Sequence, residues 1–178
     1  MRENGFMRLR PLTPADLPQL VELNNGAVPA VPTTLIDEMT ALLATSDLAF
    51  GVVDGTDDAR LHGFLIGMRP GSDYDSENYR FFEGRGGDFL YVDRIVVAEE
   101  ARGRRIGQLL YARVFELARA EGRTEVTCEV NLDPPNPGSL VFHGRLGFTE
   151  VAQQSTKGGT VRVSLMAAPV AASAALDG

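Results

Sequence analysis

The sequence predicts a mixed α/β fold of the α+β kind, in which four helices interrupt a mostly antiparallel sheet of about seven strands. Two observations support this prediction. Seven apolar or alternating segments have the length of strands, and the helical patterns between them lack the regular alternation of a doubly wound sheet. The chain has 178 residues, 44% hydrophobic and 23% charged, which suits one packed core. We therefore expect a single domain over residues 1–166 and a flexible tail over 167–178.

The predicted strands are short apolar runs or alternations bounded by turn-forming residues. Asp88–Val97 is apolar on both faces except at Asp93 and Arg94, as expected of a central strand. In the next strand apolar and polar residues alternate, which gives it one apolar face. In chain order the predicted strands are Met7–Leu12, Leu48–Val53, Leu61–Met68, Asp88–Val97, Val126–Leu132, Phe148–Gln154 and Thr160–Met166.

The predicted helices have apolar residues at helical spacing and recognisable ends. Thr13 can cap the first helix with Pro14 at its first position, and Gly26 ends it. Thr33 or Thr34 can cap the second. In chain order the predicted helices run from Thr13 to Asn25, from Thr33 or Thr34 to Thr45, from Ile106 to about Gly122, and from Ser139 to Leu146.

Residues 69–87 follow neither pattern. The segment holds four glycines and four aromatic residues and has no apolar period. Loops of this length in compact domains tend to be functional or disordered, and the aromatic residues favour a functional loop.

Composition excludes several classes of function. The net charge of -7 argues against a nucleic-acid-binding surface, and no apolar run is long enough to span a membrane. The N-terminus does not resemble a secretory signal, so we expect a cytoplasmic protein. One cysteine, Cys128, cannot form an internal disulfide, and two histidines do not form a crowded set of metal ligands, so no metal is expected.

The charge is unevenly distributed along the chain. Six arginines and two glutamates lie between Ala101 and Arg123, a net +4 in a protein that is otherwise acidic. Such a segment is either a solvated helix face or the docking site of an anionic ligand. The second interpretation gains support where a buried strand leads through a glycine-containing turn, Arg102–Gln108, into a helix start. Backbone N–H groups and the helix dipole converge there and favour an anion.

The same turn resembles motif A of the GNAT N-acetyltransferase superfamily, Arg/Gln-x-x-Gly-x-Gly/Ala. Arg102 matches its first position and Gly107 its last, whereas Arg105 stands where the family usually has its inner glycine. A second segment, Asn136-x-x-Ser139-x-x-x-His143-x-x-x-Gly147-Phe148, is similar in spacing to the family's motif B. The predicted order of elements agrees with the family from Met7 to Met166.

The resemblance implies that the chain binds acetyl-CoA as a cosubstrate between splayed central strands. The pantetheine arm would pair with the backbone at Ile95, Val96 and Val97. Asn136 would touch the same arm, and Ser139 and His143 would face the coenzyme. The pyrophosphate would be held by the turn, whose residues are Arg102, Gly103, Arg104, Arg105, Ile106, Gly107 and Gln108. Ile95–Val97 can also be read as an ordinary core strand, and one or more of the arginines as solvated.

Acetyl transfer requires one group to remove a proton from the amine and another to protonate the departing thiolate. His143 stands where the family commonly has a tyrosine acid, so it is predicted to act as an acid or to bind the coenzyme sulfur, with a packing role as the alternative. Asp93 is the candidate base because it interrupts a buried strand, and an ion pair with an arginine is the alternative. Glu129 and Asn131 are fallback candidates, and His62 is given no role.

The acceptor is predicted to be a primary amine of a small molecule or peptide. An excess of acidic residues in 69–88 favours a cationic amine. The residues predicted to contact it are Asn24, Asn25, Tyr74, Tyr79 and Phe82. A non-catalytic acyl-CoA sensor on the same fold is the main alternative function, and a binder of another phosphate ligand is a third. Since the family often forms dimers, a homodimer is also considered.

Overall fold

The structure, a computed structural model, describes residues Phe6–Ala171 and contains seven strands and five α-helices within that range. Short 3-10 turns occur at Pro14–Asp16, Glu99–Ala101 and Lys157–Gly159. In chain order the elements are β1 (Met7–Pro11), α1 (Leu17–Gly26), α2 (Ile36–Thr45), β2 (Leu48–Asp54), β3 (Asp57–Met68), α3 (Glu77–Arg85), β4 (Phe89–Val97), α4 (Ile106–Ala120), β5 (Glu125–Asp133), α5 (Pro137–Arg145), β6 (Thr149–Thr156) and β7 (Val161–Pro169).

The predicted mixed α/β class is confirmed. The strands are hydrogen-bonded in the order β1-β2-β3-β4-β5-β7-β6; the pairs β1–β2, β2–β3, β5–β7 and β6–β7 are antiparallel, and β4–β5 is parallel. Between residues Phe6 and Ala171 no helix is long and apolar enough to cross a membrane.

The chain divides into two compact units. The first contains the described residues up to Met68 together with Val92–Ala112, and the second contains Arg69–Tyr91 and the described residues from Arg113 onward. The boundary between the units falls within β4, after Tyr91, and within α4, after Ala112. The prediction of one domain over 1–166 stays a prediction.

The first unit has a core of aliphatic and aromatic side chains on β2 and β3 and on the helices. Leu20 of α1, Met39 of α2 and Phe64 of β3 are fully buried. The start of α1 is fixed by Asp16, whose carboxylate accepts hydrogen bonds from the Arg10 guanidinium at 2.7 Å and from the Thr13 amide at 2.8 Å. These bonds stabilise the carboxylate and hold the pKa of Asp16 below its usual value.

The second unit has a core of aromatic residues and β-branched strand residues. Tyr79, Phe82, Phe89 and Tyr91 form a cluster in which neighbouring ring centroids are 5.5–6.2 Å apart. Ring contacts of this kind add to the stabilisation from burial.

A parallel ladder joins β4 to β5 within the second unit. It pairs Phe89, Leu90 and Tyr91 with Glu125, Val126 and Thr127. On its other edge β5 pairs with β7 in an antiparallel ladder.

The prediction of an irregular loop over 69–87 is wrong in part, because α3 occupies Glu77–Arg85. Ser76 caps this helix by accepting a hydrogen bond from the Tyr79 amide, and Gly86 ends it with φ +76°. Tyr79 and Phe82 are three residues apart and form the buried side of the helix. The serine cap and this spacing were the sequence signals for a helix, and the many glycines obscured them.

The tail was predicted to begin at residue 167, whereas β7 continues to Pro169. Ala167 and Ala168 are buried and pair with Thr127 and Val126 of β5. The alanines are therefore part of an ordered strand and not of a tail. Residues 172–178 of the predicted tail lie outside the described residues.

Candidate active site

The turn from β4 into α4 has the geometry of an anion site. Gly103 and Arg105 have φ values of +80° and +59°, which brings successive backbone N–H groups together just before Ile106 begins α4. The first amides of a helix have no partner within it, so the start of α4 adds further donors. Arg102, Arg104 and Arg105 are all exposed, whereas Ile106 and Gly107 are buried. This donor set suits a diphosphate.

Arg105, the one departure from motif A, has the backbone conformation that the family's glycine would have. Its φ of +59° lies in the left-handed region, where glycine is free of strain and other residues are not. The chain therefore keeps the backbone path expected of a glycine while adding a guanidinium group beside the helix start. The strain costs about 1 kcal/mol.

The strand before the turn is fixed firmly to β3. A β-carbon on Gly63 would lie 2.8 Å from the Val96 carbonyl oxygen and 2.9 Å from the Ile106 side chain. Only glycine leaves β3, the end of β4 and the start of α4 this close together. Val96 is buried, and Ile95 and Val97 are half-buried.

Asp93, the predicted base, belongs to a largely buried polar network. Its carboxylate oxygen lies 3.3 Å from Nε of Arg94, and the two side chains are 6% and 12% exposed. The same guanidinium donates to the amide oxygen of Asn24 at 2.7 Å and to the Thr34 hydroxyl at 2.9 Å. This geometry supports the ion-pair alternative for Asp93.

Asn24 and Asn25, both predicted to contact substrate, hold the segment between α1 and α2. Asn24 is fully buried, and besides accepting from Arg94 it donates to Pro32 and to Asn25. Asn25 is exposed, and its amide group makes hydrogen bonds to the backbone N–H and carbonyl of Thr34. Both amides therefore have a structural role, and substrate contact stays a prediction.

The aromatic residues predicted to form a substrate wall lie largely in the core. Tyr79 and Phe82 are 2% and 1% exposed, while Tyr74 is half-buried and packs edge-on against Tyr79. Burial and the neighbouring Glu83 carboxylate raise the pKa of Tyr79 to about 12. Its hydroxyl is therefore protonated at neutral pH and lies within hydrogen-bond distance of the Arg69 carbonyl and the Glu83 carboxylate. Tyr79 and Phe82 are thus too deeply buried to offer a substrate much surface, and substrate contact by these residues stays a prediction.

Asn136, Ser139 and His143 lie on or next to α5, as motif B predicts. Asn136 is the N-cap residue, and its side-chain oxygen accepts from the Ser139 amide at 3.3 Å. Gly147 ends the helical segment with φ +91°, and Phe148 then packs edge-on against the His143 ring at 5.3 Å. Local structure thus accounts for the residue types at three positions of the motif, Asn136, Gly147 and Phe148.

His143 is buried, and one of its ring nitrogens is fixed. Nδ1 lies 2.8 Å from the Ser139 carbonyl oxygen and 3.1 Å from the Ser139 hydroxyl. A carbonyl can only accept, so Nδ1 carries the proton and the neutral ring has its lone pair on Nε2. Burial lowers the pKa of His143, although the bond to Ser139 opposes this. At neutral pH the ring is therefore an acceptor at Nε2.

Glu129, a fallback base in the sequence, has a defined partner. Its carboxylate accepts a hydrogen bond from the Tyr91 hydroxyl at 2.7 Å, and Tyr91 is fully buried. Glu129 lies on β5 two residues after Thr127, which pairs with Tyr91 in the parallel ladder. Asn131, the other fallback, accepts a backbone hydrogen bond from the Asn136 amide at its carbonyl.

The sequence interpretation gave His62 no role, yet the structure buries it beside the turn. It is 8% exposed, with Arg60 and Arg104 among its charged neighbours. The sequence signal that could have drawn attention to His62 was its position at the start of an apolar strand. Among the described residues, no cluster of His, Cys, Asp and Glu side chains has the arrangement of a metal site.

If Arg94 mainly neutralises Asp93, removal of the guanidinium should destabilise the fold. We expect Arg94→Met to lower the free energy of unfolding by about 3 kcal/mol, because it removes the guanidinium that lies 3.3 Å from a buried carboxylate. The double variant Asp93→Asn/Arg94→Met should recover a large part of that loss, as measured by urea unfolding. Additive losses would contradict the pairing.

Replacement of Arg105 separates backbone strain from charge. Arg105→Gly should keep or raise the free energy of unfolding, by up to about 1 kcal/mol, because glycine adopts the left-handed region without strain. Arg105→Ala retains the β-carbon and should give no such gain. Both variants should weaken diphosphate binding equally in calorimetry. Equal stabilities of the two variants would argue against a strained Arg105.

A family model described as the acetyltransferase (GNAT) family matches residues 20–148. Solved structures with the same fold include the ribosomal-protein-S18-alanine N-acetyltransferase from Escherichia coli, with TM-score 0.69, 15% identity and coverage of 97% of this chain and 99% of that one. Salmonella typhimurium yncA with its cofactor acetyl-CoA gives TM-score 0.67, 20% identity and coverage of 97% and 98%. Arabidopsis thaliana NAA60 in complex with a bisubstrate analogue gives TM-score 0.72 and 19% identity, with coverage of 94% of this chain and 100% of that one.

No curated protein has a sequence that matches this chain significantly. The structural neighbours are under 25% identical to this chain and support its fold. The family model, in contrast, matches on sequence and spans well over half of the residues, including both motifs up to Phe148. Together with the turn at the start of α4 and the capped helix that carries His143, this match establishes that the chain belongs to the GNAT family of acetyltransferases.

Proposed function

We propose that this acetyltransferase moves the acetyl group of acetyl-CoA to a primary amine of a small molecule or peptide by direct attack in a ternary complex. The observation that carries the proposal is the turn Arg102–Gln108, where two left-handed residues, a helix start and three exposed arginines form a site for a diphosphate. Coenzyme A carries such a diphosphate.

The other coenzyme contacts are proposed on the residues that match the family. The backbone of Ile95–Val97, at the end of β4, would pair with the pantetheine arm. Asn136 and Ser139 would add contacts from α5. Because the Asn136 side-chain oxygen caps the helix, its NH₂ group is the part suited to donate to a carbonyl of the arm.

The reaction forms a C–N bond, breaks the C–S bond and moves one proton from nitrogen to sulfur. A neutral His143 with its proton on Nδ1 can accept that proton at Nε2 and then donate it to the thiolate. The role proposed here is therefore acceptor first and acid second, whereas the sequence interpretation named an acid alone. Ser139 acts by fixing the tautomer.

An ammonium substrate must lose a further proton before it can attack. Asp93 is engaged with Arg94 and so is less suited to this task. The carboxylate of Glu129, which the Tyr91 hydroxyl orients, is the better candidate for the base. We propose that Glu129 accepts the proton and that Asp93 maintains the position of Arg94.

A cationic amine is the proposed acceptor class. The exposed residues Asp73, Asp75 and Glu77 flank the start of α3 and make that surface acidic. The structural neighbours also include N-acetyltransferases of a ribosomal-protein alanine. This supports peptide amines as members of the test panel. A cytoplasmic location and a homodimer stay predictions.

The direct test is thiol release from acetyl-CoA with a panel of cationic small amines and short peptides, with the products identified by mass spectrometry. We expect turnover with at least one amine, and a roughly tenfold higher KM for acetyl-CoA in Arg104→Gln. The matched control is Arg119→Gln, which removes an exposed arginine from the last turn of α4, far along the helix from Arg104. Coenzyme binding without turnover of any amine would favour the sensor function instead.

The pH dependence should report His143. Because burial depresses its pKa below the usual value, the neutral form predominates at pH 7, and kcat/KM should fall as the pH decreases through that lowered pKa. His143→Phe should reduce kcat by about a hundredfold or more. His143→Tyr should retain part of the rate and lose this acidic limb. An unchanged pH profile in His143→Tyr would contradict the assignment.

A further inference from the structure

His62 occupies an irregular position on β3. The register of β2 against β3 pairs Val52 with Gly63 and Val53 with Leu61, so His62 has no paired residue on β2. It is the extra residue of a bulge, and bulges commonly redirect a side chain. The sequence position alone does not reveal this.

The bulge lies directly against the anion-binding turn. The His62 carbonyl accepts a hydrogen bond of 2.9 Å from the amide of Ala98, the residue that follows β4. The next residue, Gly63, has no room for a β-carbon between the Val96 carbonyl and the Ile106 side chain. Both residues of β3 therefore touch the segments that enter and leave the turn.

The imidazole is buried and incompletely satisfied. It is 8% exposed, and its Nδ1 makes no hydrogen bond to any residue between Phe6 and Ala171. Leaving a buried ring nitrogen without a partner costs free energy. A buried nitrogen of this kind beside a candidate anion site is a group whose protonation a bound anion can change.

Four charged residues from three elements and the anion-binding turn act electrostatically on this ring. Arg60 lies on β3, Asp54 on β2, Glu100 in the 3-10 turn after β4, and Arg104 in the anion-binding turn. Arg60 and Glu100 form an ion pair at 2.9 Å. Burial lowers the pKa of His62, and Arg104 and then Arg60 lower it further, while Asp54 and Glu100 oppose them. His62 is thus neutral at pH 7 when the turn holds no anion.

We propose that His62 takes up a proton when a diphosphate occupies the turn Arg102–Gln108, so that the chain binds coenzyme more tightly as the solution becomes more acidic. This inference rests on the proposed function, because it assumes that the turn holds the coenzyme diphosphate. The negative charge of the ligand offsets that of Arg104 and removes the main charge that disfavours the imidazolium. His62 is a positioning residue in this proposal and takes no part in the chemical step.

The sign of the effect follows from linkage. The ligand raises the pKa of His62, so the affinity gain is complete below the pKa of the free protein and is lost as the pH rises through the pKa of the complex. Two ligand charges that act on the imidazolium through partly screening solvent give a gain of about three- to tenfold in affinity.

The ligand for the test is 3′-dephospho-coenzyme A. It keeps the diphosphate but lacks the 3′-phosphate, whose own proton titrates in the same range and would obscure the result. The dissociation constant is measured by calorimetry between about pH 5 and pH 8, the range in which an imidazole titrates. We expect the wild-type affinity to fall roughly three- to tenfold across this range, and His62→Gln to bind with a flat profile.

Proton NMR gives a second readout that does not depend on the variant. The chain has two histidines, so two imidazole titrations are expected, and His62→Gln or His62→Asn identifies the one that belongs to His62. Its midpoint should move to higher pH when the ligand binds. In the free protein, Arg104→Gln should raise the same midpoint more than the control Arg102→Gln does. Circular dichroism confirms that each variant is folded.

The outcomes separate the two proposals. If dephospho-coenzyme A does not bind at any pH, the turn is not a coenzyme site and both proposals are wrong. If it binds, but the His62 midpoint does not move and His62→Gln keeps the wild-type pH profile, the role of His62 is overturned and the proposed function stands. A midpoint that moves, together with a flat profile in the variant, supports both.

Discussion

The site depends on a sharp change of direction between β4 and α4. Two residues in the left-handed region, Gly103 and Arg105, turn the chain so that backbone amides and the start of the helix face the same side. The strain at Arg105 is sustained because Ile106 is buried next to it and Gly63 of β3 lies directly behind. The donors are therefore in position before any ligand arrives, which reduces the cost of ordering them on binding.

The residues of motif B show how side chains proposed for the chemistry also have a role in local folding. Asn136 caps α5, and the Ser139 carbonyl fixes the tautomer of His143. Phe148, placed by the turn at Gly147, packs on the imidazole and keeps water away from it. Burial then lowers the pKa of His143 and keeps the ring neutral. A structural reading of this motif and a catalytic reading are therefore compatible.

The network around Arg94 gives a different result. There Asn24 and Thr34 accept hydrogen bonds from the guanidinium that pairs with Asp93. Bonds of this kind fix the segment between α1 and α2 to β4 within the first unit. His62 differs in its position, because it lies in a bulge of β3 and its carbonyl accepts from Ala98, shortly before the anion-binding turn.

The sequence by itself determined the fold class, the seven strands, four of the helices and the positions of both motifs, since periodicity, caps and motif spacing are local properties of the chain. It missed α3, because glycines in 84–87 outweighed the Ser76 cap and the spacing of Tyr79 and Phe82. Only the tertiary structure decided that Asp93 meets Arg94 while Glu129 meets Tyr91, that Tyr79 and Phe82 are in the core, and that His62 lies beside the turn. These facts depend on strand register, bulges and burial, which bring together residues far apart in the chain and which no local pattern encodes.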